Sequence, residues 1–332
     1  MKSKIAIALL FFGCAGSQPP PEPAPPTEAP APPPPAPPPA VPAATPDAPA
    51  PVAESKPKEP AGPPPVVRYA EGLSTPESVL YDDAQDRYLV SNINGKPLDV
   101  DGNGYISELS PDGKITKAKF IEGNGKVKLN APKGMAIVKG VLYVSDITVV
   151  RKFDAKTGAP KGEVAIKDAT FLNDVAAAPD GRVFVSDSGL KAGANGFDPT
   201  GTDAVYVIDK GAVKPVAKSK ELGQPNGLLA RDKDLWVVTM GSGELYRLDD
   251  KGKRQDVAKL PQGGLDGIVA VGDSLLISSW KASAVYRGKP GGAFEVTVPN
   301  VKAPADIGFD SKRGRVLVPR FMENAVEVYA VK

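Results

Sequence analysis

Three strand-like motifs recur in the same order six times between residues 66 and 332, and a period of that kind constrains the fold more than any single residue. The first motif reads TPESVLYD (75–82), APKGMAIV (131–138), FLNDVAAA (171–178), QPNGLLAR (224–231), GLDGIVAV (264–271) and APADIGFD (303–310). The second follows as DRYLVSN, GVLYVSD, GRVFVSD, DLWVVTM, DSLLISS and GRVLVPR, and the third as GYISELS, VVRKFD, AVYVID, ELYRLD, AVYRG and AVEVYA. A fourth strand is readable after the first five sets. No segment sustains a 3.6-residue apolar period, so the repeats are all-β units of about 44 residues. Six four-stranded units predict a six-bladed β-propeller over 66–332. The sixth set stops without an outer strand, and VVRYAEG at 66–72 has the character to supply it, removing the unpaired edge between last and first blades.

The residues ahead of the repeats have a different composition. MKSKIAIALLFFG (1–13) carries Lys2 and Lys4 before an apolar run too short to span a bilayer, which reads as a signal peptide. Cys14, the one Cys of the chain, follows directly and is the expected lipidation site of a bacterial lipoprotein; an ordinary secretory leader is the competing reading. Residues 18–65 hold 23 of the 37 prolines, so 14–65 is expected to be a disordered, extended linker between anchor and propeller. The expected location is the cell envelope, outer membrane favoured because Ala15 and Gly16 carry no acidic retention signal, with the lipid as the sole membrane contact.

The blade pattern also locates a candidate site. In a propeller the first strand of each blade lines the central channel, and its start points at the axis on one face. Those positions hold Glu77, Lys133, Asn173, Asn226, Asp266 and Asp306, all polar on otherwise apolar strands. Carboxylates and amides converging on an axis make a hard-oxygen site suited to a divalent cation: Ca²⁺ first, with Mg²⁺, Mn²⁺ or Zn²⁺ as alternatives. A water-lined channel, or Lys133 neutralising a carboxylate, would account for the same ring without metal. The absence of His removes imidazole bases and His-ligated metals, one Cys removes internal disulfides, and a net charge of +2 removes the case for nucleic acid.

These segments resemble the SMP-30/gluconolactonase (LRE-like) family of six-bladed propellers. Glu77-Ser-Val-Leu-Tyr-Asp82 is similar to its Glu-Gly-Pro-Val-Trp-Asp opening, Pro225-Asn226-Gly227-Leu228 to its Ser-Asn-Gly-Leu segment, and Leu265-Asp266-Gly267 to its Pro-Asp-Gly segment. Leu172-Asn173-Asp174 with Pro179-Asp-Gly-Arg182 is similar to its Asn-Asp and Asp-Gly-Arg pair. The resemblance implies a metal held by Glu77, Asn226 and Asp266, substrate contact by Asn173, and Asp266 as the base of a metal-dependent lactonase. Ser78-Val79 replaces the family's Gly-Pro. Phe171 stands where some sugar lactonases carry Arg, which argues against a polar sugar acid as substrate. The competing reading is a non-catalytic binding or scaffold propeller with a structural cation; either would act as a monomer on a small molecule at the channel.

Two connections between second and third strands are long, 92–104 and 188–203, and both should rise on the face that carries the ring. The first contains Asp99, Asp101, Asn103 and Tyr105 in the order of a calcium loop, but Ser110 replaces the closing Glu. It is read as a second, weak calcium loop or as a polar turn.

Overall fold

The computed structural model describes residues 62–125, 127–194 and 196–331. Six four-stranded antiparallel sheets follow one another around an axis, as the repeats predict. Blade one runs Pro76–Asp82, Arg87–Asn92, Tyr105–Ser110 and Lys114–Glu122, and blades two to five repeat that order. Blade six contributes Gly308–Asp310, Arg315–Arg320 and Ala325–Ala330, and takes Val67–Tyr69 as its outer strand. The closing register pairs Val67 with Val328, Arg68 with Glu327 and Tyr69 with Val326. At the centre, blade six also meets blade one directly: Asp306 N donates to Glu77 O at 2.9 Å, and Val79 N to Asp306 O at 3.3 Å.

Among the described residues the apolar core divides into six clusters, each lying between two consecutive blades. The alternation of the strands explains this, because each sheet buries both faces, one against the blade before and one against the blade after. Leu89, Ile106 and Leu142, for example, join blades one and two, whereas Val79, Tyr88 and Val328 join blades one and six. No helix among the described residues is long and apolar enough to cross a membrane. Cys14, the leader and the Pro-rich run to residue 61 lie outside the described residues.

Candidate functional site

The start of each inner strand is where the site is made. In blades one to five the register between first and second strands shifts at that point, for example between Pro225 and Leu228 and between Leu265 and Ile268. A bulge re-aims the side chains it contains, and here it turns Glu77 out of the ladder in blade one and two successive residues in each of blades two to five. A serine on the second strand then takes the freed backbone groups. Asp174 N donates to Ser186 Oγ at 2.9 Å, and Ser186 Oγ donates to Asn226 O of the next blade at 2.7 Å. Ser278 does the same between Gly267 N and Ala305 O, both at 2.8 Å. The following residue of the second strand pins the entering turn, as Asp146 does by accepting from Ala131 N and Asp187 from Phe171 N.

All six predicted ring residues are buried. Glu77, Lys133, Asn173 and Asp266 line a cavity of about 280 Å³ at the mouth of the channel. Asn226 sits beside Asp266, its amide N–H directed to Leu265 O at 3.4 Å. Asp306 does not line the cavity; its Oδ2 accepts from Ser78 Oγ. Glu77 Oε2, Asn226 Oδ1 and Asp266 Oδ1 are buried without any hydrogen-bond partner. An unpaired buried oxygen is costly, and these three belong to the three residues read as metal ligands. Other ring groups are satisfied. Trp280 Nε1 donates to Asp266 Oδ2 at 2.7 Å, Asn173 Nδ2 to Ser188 Oγ at 3.1 Å, and Lys133 Nζ to Pro97 O and Ala131 O at 3.0 and 3.1 Å.

The electrostatics are those of crowded, buried carboxylates. Burial pushes Asp266 up to about 7 against the Trp280 N–H, with Asp174 adding to the rise and Asn226 opposing it. Burial raises Glu77 well above the usual carboxylate range, with Asp266 adding and Lys133 opposing. Asp306 is raised likewise, by burial and then by Asp174 and Glu77. Burial lowers Lys133 to about 8, opposed by Glu77 and Asp146. Asp174, one residue beyond the predicted ring, is a fourth carboxylate of this group, raised by burial to about 6 while Leu228 and Val175 N–H groups oppose.

The two long connections supply part of the cavity wall. Ile93 and Pro97 come from the first long connection, Leu190 and Phe197 from the second, which forms a hairpin of Leu190–Gly193 with Gly196–Pro199. Met240, Trp280, Phe321 and Met322 complete the rim. Both long loops thus rise beside the ring, as strand alternation requires. The Asp99–Tyr105 segment belongs to the first of them but does not line the cavity. Asp101 accepts from the backbone and side-chain N–H groups of Asn103, Asp99 is exposed, and Tyr105 is already a strand residue paired with Asn92 and Glu122. Among the described residues no group of three or more Asp, Glu or Cys side chains is arranged to hold a metal, so a cation in the ring would depend on the Asn226 amide oxygen.

No protein-family model and no curated protein matches the chain. Among solved structures it is similar to a gluconolactonase from Xanthomonas campestris, with TM-score 0.58, 19% identity, and 78% of this chain and 86% of that one covered. It is also similar to virginiamycin B lyase from Staphylococcus aureus, with TM-score 0.55, 15% identity, and 80% and 98% covered. A nidogen/laminin complex matches at TM-score 0.50 and 16% identity over 65% of this chain and 76% of that one. Likeness at these identities establishes the six-bladed fold. It does not choose among the activities that fold carries.

Proposed function

We propose that the protein is a divalent-cation-dependent hydrolase of lactones or related esters, of the SMP-30/gluconolactonase type, tethered to the cell envelope through Cys14. The observation that carries the proposal is the trio of unpartnered buried oxygens on Glu77, Asn226 and Asp266, of which Glu77 and Asp266 line the cavity. Two carboxylates and an amide are a hard-oxygen donor set that fits Ca²⁺. Bound there, such a cation supplies Lewis-acid polarisation of an ester carbonyl. The residues themselves divide the remaining work. Asp266, fixed at Oδ2 by Trp280, presents Oδ1, which has no protein partner, to the proton of an attacking water. Asn173, anchored on Ser188, lines the same cavity and supplies the substrate contact. Lys133 offsets part of the negative charge.

The other enzyme in the comparison fits less well. A histidine-to-alanine variant of virginiamycin B lyase is described as catalytically inactive, and this chain contains no histidine. The test is metal analysis of the purified protein, followed by thermal melts and a lactone panel with and without chelator. Calcium at a hundredfold excess over Kd should stabilise the protein by about 2.7 kcal/mol, and chelator should abolish hydrolysis. Melting unchanged by chelator would remove the cation site; a calcium-dependent melt without turnover would leave a binding propeller.

A further inference from the structure

Resting on the hydrolase reading for the reacting group and on the cavity walls for the rest, we infer that the site takes an uncharged lactone or ester carrying an apolar substituent rather than a polyhydroxylated sugar lactone. Two aromatic pairs stand on different sides of the cavity. Phe171 and Phe197 of blade three meet edge to face with centroids 5.4 Å apart. Trp280 and Phe321, from blades five and six, lie 5.2 Å apart. Leu190 and Met240 also line the cavity, and Phe197 and Met322 are 46% and 69% exposed at the entrance.

Most side-chain N–H donors lining the cavity are already engaged, and the unpartnered oxygens of Glu77, Asn226 and Asp266 are those assigned to the cation. Lys133 spends two N–H bonds on carbonyls and rests on the Phe171 ring at 4.7 Å, Asn173 gives an amide N–H to Ser188, and Trp280 gives its N–H to Asp266. A sugar lactone brings a hydroxyl on most ring carbons. Each one buried against these walls without a partner costs roughly tenfold in affinity. An ionised carboxylate or phosphate substituent would be buried against Phe171, Phe197, Trp280 and Met240, and Lys133, the one cationic side chain lining the cavity, is already bonded to two carbonyls. A cavity of about 280 Å³ also lies at the small end of ligand pockets, which suits one ring with a short chain or a phenyl group.

The experiment compares kcat/KM of the calcium-loaded full chain on γ-butyrolactone, γ-nonalactone, γ-phenyl-γ-butyrolactone and glucono-δ-lactone. Calorimetry in parallel follows binding of the non-hydrolysed lactam 5-phenyl-2-pyrrolidinone. The pentyl and phenyl lactones should exceed the parent ring by about 100-fold, with glucono-δ-lactone lowest. Phe197→Ser, at a half-exposed position of the cavity wall, should weaken the lactam about tenfold and lower kcat/KM for the phenyl lactone more than for γ-butyrolactone. Preference for glucono-δ-lactone, or indifference to the substituent, would overturn this ligand class and leave the hydrolase reading standing. Lactam binding without hydrolysis of any lactone would support the ligand class and overturn the hydrolase. Neither binding nor hydrolysis would overturn both.

Discussion

Asp266 concentrates the chemistry into two oxygens with different duties. Oδ2 is held by the Trp280 indole, and Oδ1 has no protein partner. Asp266→Asn keeps an oxygen that can coordinate but none that can accept a proton. Turnover should therefore fall by about 10²–10⁴-fold, while the calcium-dependent rise in melting temperature shrinks far less; parallel loss of both would mean that Asp266 only binds. Trp280 acts through Asp266 and tests the same division. Its N–H stabilises the charged carboxylate and so lowers the pKa; removing it in Trp280→Phe raises the pKa. A base works only when deprotonated, so the acidic limb of the pH–kcat/KM profile should move to higher pH. A limb that stays in place while kcat/KM falls would reduce Trp280 to a wall residue. Asp99 is exposed and remote from the cavity lining, so Asp99→Ala should change neither readout.

The repeated element is the bulge at the head of each inner strand, with a serine behind it. Ser186 ties Asp174 N to Asn226 O across blades three and four, with every atom buried. Ser186→Ala leaves a buried donor unpaired and should cost about 1–3 kcal/mol, measured by urea unfolding. It should also weaken calcium binding, since Asn226 loses its inter-blade anchor; wild-type stability in the variant would mean that the backbone alone sets the bulge. The glycine after a ring residue serves close approach. A Cβ on Gly227 would stand 2.1 Å from Asp266 O, so Gly227→Ala pushes apart the strands that carry two of the three proposed ligands. Sequence made part of this readable. Polar residues at one phase of an apolar repeat marked Glu77, Asn226 and Asp266, because axis-facing positions recur with the blade. Asp174 escaped because it occupies a phase that holds Gly134, Gly227 and Gly267 in other blades. Phe197 and Phe321 escaped because their loops carry no period, and only tertiary closure brings them to the mouth beside Phe171.

Over the whole molecule, stability is distributed around a ring, since each apolar cluster spans two blades and none dominates. Such a ring is only as sound as its closure, which here depends on three residues from the start of the propeller. Val67–Tyr69 completes blade six; Val66 N donates to Val328 O at 2.7 Å, and Tyr69 is buried against Tyr88 with its hydroxyl on Ser110 O at 2.6 Å. Arg68 pairs with Glu327, whose other oxygen is held by Arg320. Removing residues 1–65 leaves all of these contacts except those of the chain ahead, and stability should match that of the full chain. Removing 1–72 takes away the strand and the Tyr69 side chain, a loss of at least about 3–5 kcal/mol by analogy with large aromatic deletions. It also uncovers Ala325–Ala330, an apolar edge with open backbone donors and acceptors that invites pairing between copies. Urea unfolding should separate the two truncations, and sedimentation should show the shorter one associating. Equal midpoints and equal sedimentation would mean that the ring closes without Val67–Tyr69, and that the packing of blade six against blade one suffices.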